Sequence, residues 1–281
     1  MLSYRHAFHA GNFADVLKHF VLVEVLRYYS LKDKPWWYID THAGAGCYAL
    51  DSRQALQTGE HASGISRLWA REDWPAAMQP YRAALTQFNP PGHLAFYPGS
   101  AALAMTQARA QDRLRLFELH PADSVALART FESETECAVV RAEDGFAGLR
   151  SLLPPAPRRA VVLIDPSYEV KSDYRRVVSV LEDALRRFPL GTYMVWYPML
   201  ARAEARALPR NLGSLGSDSW LDVRLWVRDP RSEAIGMFGC GLYILNPPWR
   251  LPEVLDSTLP WLVAALGESA GAGYFLEHEI A

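Results

Sequence analysis

The stretch Val161-Val-Leu-Ile-Asp-Pro-Ser-Tyr168 decides the fold prediction. Its wholly apolar run belongs to a predicted strand over 159–164 and is typical of a strand that is buried on both faces of a sheet. Because ligands bind outside the carboxyl ends of the strands in open α/β sheets, we expect Asp165, Pro166 and Tyr168 to lie at a binding edge.

The residues after this strand suit the transfer of a group to an exocyclic amine. Such a nitrogen becomes nucleophilic when acceptors bind its hydrogens, and the Asp165 carboxylate and the Pro166 carbonyl could both accept them. Tyr168 could stack on a flipped or unpaired base. Amino-methyltransferases carry Asp, Asn or Ser, then Pro-Pro, then an aromatic, and Ser167 departs from this at the second proline. Both acceptors remain and only backbone rigidity is lost, so we interpret the segment as catalytic rather than as a strand-end cap.

The chain alternates strand-like and helical stretches around this segment, which predicts a doubly wound, mostly parallel sheet. Two late strands, over 220–227 and 237–245, are joined by a polar connection without a helix, so we expect a hairpin and a C-terminal antiparallel strand. This is the arrangement of class I methyltransferases, although the pattern alone also permits other Rossmann-like folds. The remaining predicted strands are 35–40, 114–119, 138–142, 192–196 and 274–276.

The chain begins with a predicted amphipathic helix over 12–30. Its apolar residues recur at helical spacing, with Asp15, Lys18 and His19 between them.

A second helical region, over 52–88, is interrupted by glycines and prolines and lies between the first two strands of the alternating pattern. We interpret it as an insertion. The predicted domains are a methyltransferase domain over 1–50 and 94–281 and an inserted helical subdomain over 51–93.

Three other strand ends carry candidate cofactor contacts. Asp40-Thr-His-Ala-Gly-Ala-Gly46 contains a Gly-x-Gly loop that lets a ligand approach the backbone, but no third glycine completes the dinucleotide fingerprint. Glu118 is placed to accept hydrogen bonds from ribose hydroxyls, and a solvated strand-end Glu fits its position equally well. Asp144-Gly145 could contact an adenine amino group, although an ordinary Asp-Gly turn is the simpler interpretation.

A rival segment, Asn246-Pro-Pro-Trp249, fits the amino-methyltransferase signature better than 165–168 does. Its position after the late hairpin would move the catalytic loop away from the point where ligands bind. We therefore interpret it as a structural turn.

Other reactive residue types give weaker signals. His6, His9, His19 and His42 lack acidic partners at metal-site spacing, so we expect no metal ion. No Gly-x-Ser-x-Gly elbow supports a serine hydrolase. Ser100 precedes an Ala-rich helical stretch and is interpreted as a helix N-cap.

Composition limits the partners of this 281-residue chain. Lys and Arg total 29 against 31 for Asp and Glu, a net charge of −2, so nucleic acid would have to be held by a local basic patch. Cys47, Cys137 and Cys240 lack CxxC spacing, which argues against a disulfide framework and a structural zinc site. No apolar run approaches the length of a membrane span. We expect a cytoplasmic monomer without membrane contact.

The chain resembles the RlmJ family of bacterial 23S rRNA adenine-N6 methyltransferases nearly from end to end. An ordered set of short segments carries this resemblance and is more specific than any one motif. The segments are Met1-Leu-Ser-Tyr-Arg-His6, His9-Ala-Gly-Asn12, Asp15-Val-Leu-Lys-His19, Asp40-Thr-His-Ala-Gly-Ala-Gly46, Tyr97-Pro-Gly-Ser100, Glu118-Leu-His-Pro121, Asp144-Gly-Phe146, Leu163-Ile-Asp-Pro166, Trp196-Tyr-Pro198 and Asn246-Pro-Pro-Trp249.

The resemblance implies S-adenosylmethionine as cofactor and naked or partly assembled 23S rRNA as substrate, methylated at one adenine of the adenine 2030 type. Asp165 would be catalytic, and Tyr4 would guard or contact the target adenine. The implied cofactor contacts are Lys18, His19, His42, Ser100, Glu118, Asp144 and Gly145, together with Asp165.

Two alternatives remain open. A DNA adenine-N6 methyltransferase would share the Asp165–Tyr168 chemistry, but it should carry a basic sequence-reading module, and the 52–88 insert balances its charges. A non-catalytic RNA-binding assembly factor is favoured only by Ser167.

Overall fold

The structure, a computed structural model, describes residues 4–230 and 236–280; Met1–Ser3 of the first resemblance segment lie outside this range. Ten strands and eleven α-helices occur in the described residues. The strands are β1 Trp37–Asp40, β2 Cys47–Ala49, β3 Phe96–Pro98, β4 Arg113–Phe117, β5 Ala138–Arg141, β6 Ala160–Ile164, β7 Thr192–Met199, β8 Trp220–Trp226, β9 Gly239–Leu245 and β10 Gly273–Glu279. The helices are α1 Phe13–Ser30, α2 Arg53–Thr58, α3 Glu60–Ser63, α4 Ile65–Trp69, α5 Gln79–Thr86, α6 Ser100–Gln107, α7 Pro121–Thr130, α8 Gly145–Leu152, α9 Ser172–Arg187, α10 Ala203–Gly213 and α11 Leu251–Leu266.

Eight strands form one sheet in the order β10-β8-β9-β7-β6-β1-β4-β5. The five strands from β7 to β5 are parallel to one another. In contrast, β9 is antiparallel to both β7 and β8, and β10 is antiparallel to β8. The predicted class I methyltransferase fold is therefore confirmed, including the late hairpin, which is formed by β8 and β9.

Apolar residues cover both faces of the sheet at its central strands. On one face, Tyr38, Leu114 and Leu163 pack in a core that includes α1, α6 and α11. On the other face, Ile39 and Val162 pack against α8, α9 and α10. Since alternate residues of a strand point to opposite faces, these apolar runs explain why the central strands are covered on both sides.

Helix α1 confirms the predicted helix but not its amphipathic pattern. Asp15, Lys18 and His19 are all buried, with 1–5% of each residue exposed. The physical reason is that α1 contacts α5, α6, α11 and β9, which cover all but a few residues near its C-terminal end. Its polar residues therefore need partners inside the protein.

The four short helices α2–α5 lie between the strands of a separate two-stranded sheet, formed by β2 and β3. Gly59 ends α2 in the left-handed region, at φ 63°, which accounts for the first predicted interruption. The division of the chain into 1–50, 51–93 and 94–281 stays a prediction. Within the part of the chain that the structure describes, every helix is too short or too polar to span a membrane.

Candidate active site

The ends of four neighbouring parallel strands line one cavity of about 820 Å³. β1 leads into residues 41–44, β4 into Glu118, β5 into Asp144 and β6 into Asp165. Every residue that the sequence placed at the site borders this cavity. These residues are Tyr4, Lys18, His19, His42, Ser100, Glu118, Asp144, Gly145, Asp165, Pro166 and Tyr168.

The loop after β1 is held by the buried carboxylate of Asp40. Its Oδ2 accepts hydrogen bonds from the hydroxyls of Tyr38, at 2.7 Å, and Ser100, at 2.6 Å, and its Oδ1 accepts from the backbone N–H of His42 at 3.1 Å. Burial raises the pKa of Asp40. The predicted N-cap role of Ser100 is wrong, because Gly99 is the cap residue and the Ser100 hydroxyl joins the first turn of α6 to Asp40 instead.

Glu118 is half-buried at the end of β4. Its Oε2 accepts from the backbone N–H of Gly44 at 2.9 Å, and its Oε1 accepts from that of His120 at 2.7 Å. Burial raises the pKa of Glu118. Each carboxylate oxygen can accept a second hydrogen bond, so the side chain can bind a pair of hydroxyls while it also fixes the loop.

Asp144 caps α8 and pairs with Arg176. Its Oδ1 accepts from the backbone N–H groups of Phe146, at 2.9 Å, and Ala147, at 3.3 Å. Burial alone would raise the pKa of Asp144, but the hydrogen bond and charge of Arg176 lower it below its usual range. A Cβ atom on Gly145 would lie 2.0 Å from the carbonyl oxygen of Thr41. The Asp-Gly pair therefore brings the β5 and β1 loops together in the cavity wall.

His42 and His19 lie in the cavity wall, His42 half-buried and His19 buried. His42 contacts the Thr41 hydroxyl at 2.8 Å and packs edge-on against Phe146. Burial lowers the pKa of His42 to about 4. His19 Nδ1 lies 2.8 Å from the Tyr97 hydroxyl, and burial also lowers the pKa of His19. Both rings are therefore neutral near pH 7.

Asp165 is fixed by an ion pair with α1. The Lys18 ammonium donates to Asp165 Oδ2 at 2.7 Å and lies 2.9 Å from Asp15 Oδ1. Burial would lower the pKa of Lys18, but the two carboxylates raise it well above its usual value. Asp15 is 1% exposed; burial would raise its pKa, but His6 and Lys18 lower it well below the usual range. The site thus contains a buried carboxylate–ammonium–carboxylate triad.

The N-terminal segment extends this polar chain. His6 Nε2 lies 2.8 Å from Asp15 Oδ2, and His6 Nδ1 lies 2.9 Å from the Tyr4 hydroxyl, both within hydrogen-bond distance. The Tyr4 ring stacks on His9 with centroids 5.4 Å apart. Burial and the nearby Asp165 carboxylate raise the pKa of Tyr4 well above its usual value. A continuous hydrogen-bonded path therefore runs from Tyr4 to Asp165.

The loop after Asp165 differs from expectation at Tyr168. Pro166 is buried in the cavity wall, and Ser167 is half-buried beside it. Tyr168 is 2% exposed, has φ 54°, and donates its hydroxyl to the carbonyl oxygen of Trp196 at 2.6 Å. Its ring is covered in this structure, since the left-handed backbone directs it toward the core beside Tyr174. Stacking of a base on Tyr168 would require this ring to move.

The rival segment lies at the opposite edge of the sheet. Because β9 is antiparallel to β7, its carboxyl end meets the start of β7. The Asn246 amide donates to the carbonyl oxygens of Pro189, at 2.7 Å, and Gly191, at 2.8 Å. Trp249 is 63% exposed there. This placement agrees with the interpretation of 246–249 as a structural turn.

Sequence reasoning assigned no role to Asp15 or His6. Both residues lie in segments that carry the resemblance. The sequence did contain a signal for a buried ion pair, because Asp15 and Lys18 are spaced i, i+3 on a strongly apolar helix. Within residues 4–230 and 236–280, no group of three or more His, Cys, Asp or Glu side chains has a metal-binding arrangement.

Comparisons with known proteins agree with this geometry. The family model described as "Ribosomal RNA large subunit methyltransferase D, RlmJ" matches residues 33–277. "Ribosomal RNA large subunit methyltransferase J" of Escherichia coli (strain K12) is 44% identical over 274 residues, which cover 98% of this chain and 97% of the relative. The protein of the same name from Haemophilus influenzae is 42% identical over 267 residues, covering 95% of this chain and 94% of the relative. Among solved structures, protein LPL1258 from Legionella pneumophila is 35% identical with a TM-score of 0.89, covering 96% of this chain and 98% of that one.

Proposed function

Because the chain belongs to the RlmJ family of ribosomal RNA large subunit methyltransferases, we propose that it transfers a methyl group from S-adenosylmethionine to the N6 amino group of a specific adenine in 23S rRNA, of the adenine 2030 type. The names of both relatives support methylation of large-subunit rRNA. The observation that carries the amine chemistry is the position of Asp165-Pro-Ser-Tyr168, which borders the cavity directly after the central strand β6. A cytoplasmic location follows from this substrate.

The cavity wall fits the cofactor. Glu118 offers two carboxylate oxygens that are already oriented by backbone N–H groups, which suits a ribose with two hydroxyls. His120 Nδ1 is buried, lies 3.6 Å from Asp123 and has no hydrogen-bond partner among the described residues. We assign Glu118 to the ribose and the remaining contacts to Lys18, His19, His42, Ser100, Asp144, Gly145 and Asp165. When bound, S-adenosylmethionine supplies a methyl group on a positively charged sulfur.

Asp165 and Pro166 are assigned to the target amine. Among the described residues, the partner of the Asp165 side chain is Lys18, which occupies Oδ2. Oδ1 is therefore available to accept one amine hydrogen, and the Pro166 carbonyl to accept the other, which would direct the nitrogen lone pair at the methyl group that the cofactor would supply. The methyl–sulfur bond would break as the new bond forms, and its electron pair would stay on the sulfur. The nitrogen gains a positive charge as its new bond forms and loses it by releasing one proton. Asp165, with 16% of its side chain exposed, can accept this proton and pass it to water.

Lys18 and Tyr4 position this carboxylate and its surroundings. The Lys18 ammonium holds Asp165 at a fixed distance from α1. Tyr4 borders the same cavity, and its backbone N–H donates to Glu169 Oε2 at 3.0 Å, which joins the N-terminal segment to the catalytic loop. We assign Tyr4 to the boundary between cofactor and target adenine. We assign Tyr168 to stacking on the target base, which requires its ring to move out of its covered position.

The experiment that tests this function is methyl transfer from labelled S-adenosylmethionine to protein-free 23S rRNA from a strain that lacks the gene. Nucleoside analysis should find N6-methyladenosine at a single site. Cofactor binding without methylated adenine in RNA, but with methylated adenine in DNA, would favour the DNA enzyme. Cofactor binding without turnover on either nucleic acid would favour a binding factor and contradict the proposal.

A further inference from the structure

Three arginines share one face of the outer strands of the sheet. Arg113 and Arg115 are two residues apart on β4, so their side chains point to the same side. Arg141 on β5 stands in register with Phe117, which continues the same side of β4. Val139, between them on β5, is 37% exposed, so α8 leaves this part of the face open. We call Arg113, Arg115 and Arg141 the arginine face.

The described residues supply hydrogen-bond acceptors for only some of the N–H donors of these guanidinium groups. Arg113 donates to the carbonyl oxygens of Ala110 and Asp112, at 2.8 and 2.7 Å. Arg115 donates to the carbonyl oxygen of its neighbour Leu114 at 2.8 Å, and its Cζ lies 4.5 Å from the Trp37 ring centroid. In the described parts of the chain, neither arginine has a carboxylate partner. Since each guanidinium carries five N–H donors, several remain for another acceptor.

Charge balance at the arginine face also favours an anionic ligand. Arg141 has one carboxylate nearby, the exposed Glu143, at 4.0 Å. Burial and the charges of Arg113 and Arg141 lower the pKa of Arg115. The three like charges therefore repel one another in the free protein. An anion that enters between them would relieve this repulsion, and phosphate accepts bidentate hydrogen bonds from arginine.

The position of the arginine face relates it to the site. Arg141 precedes Asp144 by three residues, which corresponds to roughly 10 Å along an extended chain. Arg113 lies at the opposite end of β4, so the face runs along the strands toward the cavity. The net charge of the chain is −2, so the whole protein gives no attraction to a polyanion, and a local cluster must supply it.

We propose that Arg113, Arg115 and Arg141 bind backbone phosphates of the RNA substrate and orient it toward the cavity. This inference rests on the proposed function, since it names the surface that holds that substrate. The contacts are to phosphates, so they set affinity and register rather than sequence preference.

The test compares two triple variants by RNA binding at several salt concentrations, with a fluorescent hairpin from 23S rRNA as probe. Arg113→Gln/Arg115→Gln/Arg141→Gln should weaken binding at least about tenfold and reduce the slope of log affinity against log salt by about 2, because each phosphate contact contributes about 0.7–0.9 to that slope. The KM for RNA should rise, with kcat and cofactor affinity unchanged. The control replaces three exposed arginines on other elements, Arg129, Arg210 and Arg250, by Gln and should change neither affinity nor slope.

The outcomes separate the two proposals. If the wild-type protein neither binds nor methylates RNA, the proposed function fails and the arginine face fails with it. If the wild type methylates RNA and the Gln triple variant binds with unchanged affinity and slope, the inference alone is wrong, and an acidic protein is the remaining ligand class. If the triple variant does not fold, Arg141→Gln alone tests the inference, because this substitution leaves the contact between Arg115 and Trp37 in place. It should lower the slope by about 0.7–0.9.

Discussion

The Lys18 ammonium lies 2.7 Å from the Asp165 carboxylate, although 147 positions separate the two residues in the sequence. The contact joins the first helix of the chain to the loop after the central strand β6. The same ammonium lies 2.9 Å from Asp15, so two carboxylates share one buried cation. Because breaking a buried ion pair leaves an uncompensated charge, the position of Asp165 is tied to the integrity of α1.

Replacement of Asp165 by Asn should remove methyl transfer and lower cofactor affinity only slightly, because Asp165 is one of several assigned cofactor contacts and the amide keeps its size. The amide keeps the size of the side chain but loses the carboxylate that accepts the amine proton, an effect of roughly 100-fold or more on kcat. Radiolabel transfer under single turnover, with calorimetric titration of the cofactor, measures both quantities. If cofactor affinity fell as steeply as the rate, the assignment of Asp165 to the target amine would be wrong.

Replacement of Asp15 by Asn should act through Lys18. Removing one partner of a buried charge costs roughly 3–5 kcal/mol, so denaturant unfolding should show a large loss of stability. With one carboxylate fewer to raise it, the pKa of Lys18 should fall, and the alkaline limb of the pH–rate profile should move to lower pH.

Asn12→Ala is the matched control for Asp15→Asn. It removes the side chain that caps α1 by accepting from the Asp15 N–H at 2.9 Å, and it leaves the charges beside Lys18 in place. It should cost about 1 kcal/mol and leave the alkaline limb where it is. Equal pH profiles for both variants would show that Asp15 has only a structural role.

The sheet and the strand-end residues were predictable from the sequence. An apolar strand that ends in a polar residue encodes both burial and the position of the carboxyl edge, and this placed Glu118, Asp144 and Asp165 together. The rule that ligands bind at this edge also separated Asp165 from Asn246.

Contacts that depend on tertiary packing were not predictable in this way. A charged residue on a helix is usually solvated, so the sequence did not show that Asp15 is buried with Lys18. The left-handed φ of Tyr168 is rare for an aromatic residue, and no sequence pattern predicts it. In both cases long-range contacts override the local preference.

Replacement of Glu118 by Gln should weaken the cofactor first. A hydrogen bond to a charged group contributes about 1.5–3 kcal/mol, so the dissociation constant should rise roughly 10- to 100-fold, while kcat at saturating cofactor changes little. Calorimetric titration checks this. Glu143→Gln, at an exposed position near the same edge, should bind cofactor normally. Unchanged affinity in Glu118→Gln would remove this residue from the ribose site.

His42 should make the protein less stable in acid. Its pKa is about 4 in the folded chain and 6.5 when unperturbed, so the unfolded state gains a proton first as the pH falls. The full stability is present above pH 6.5, and roughly 3 kcal/mol is lost as the pH approaches 4.

His42→Gln lacks this titration, so its unfolding free energy should fall less over the same range. Denaturant titrations at a series of pH values measure the difference. His93→Gln, at an exposed position, should behave like the wild type. Parallel curves for the wild type and His42→Gln would refute the lowered pKa of His42.

An unpaired target adenine should be methylated faster than a paired one. Only 16% of the Asp165 side chain is exposed, so the amino group has to enter the cavity, and in a duplex that group is engaged in its base pair. Extruding the base costs a few kcal/mol, which corresponds to a rate difference of roughly 10- to 100-fold between two hairpins that differ only in the base opposite the adenine.

Single-turnover rates at saturating protein measure this ratio without contributions from product release. The same two hairpins made of DNA serve as controls, because the proposed substrate is RNA. Equal rates on the unpaired and paired RNA hairpins would mean that entry of the base does not limit the reaction. Faster methylation of the two DNA hairpins would favour the DNA methyltransferase alternative.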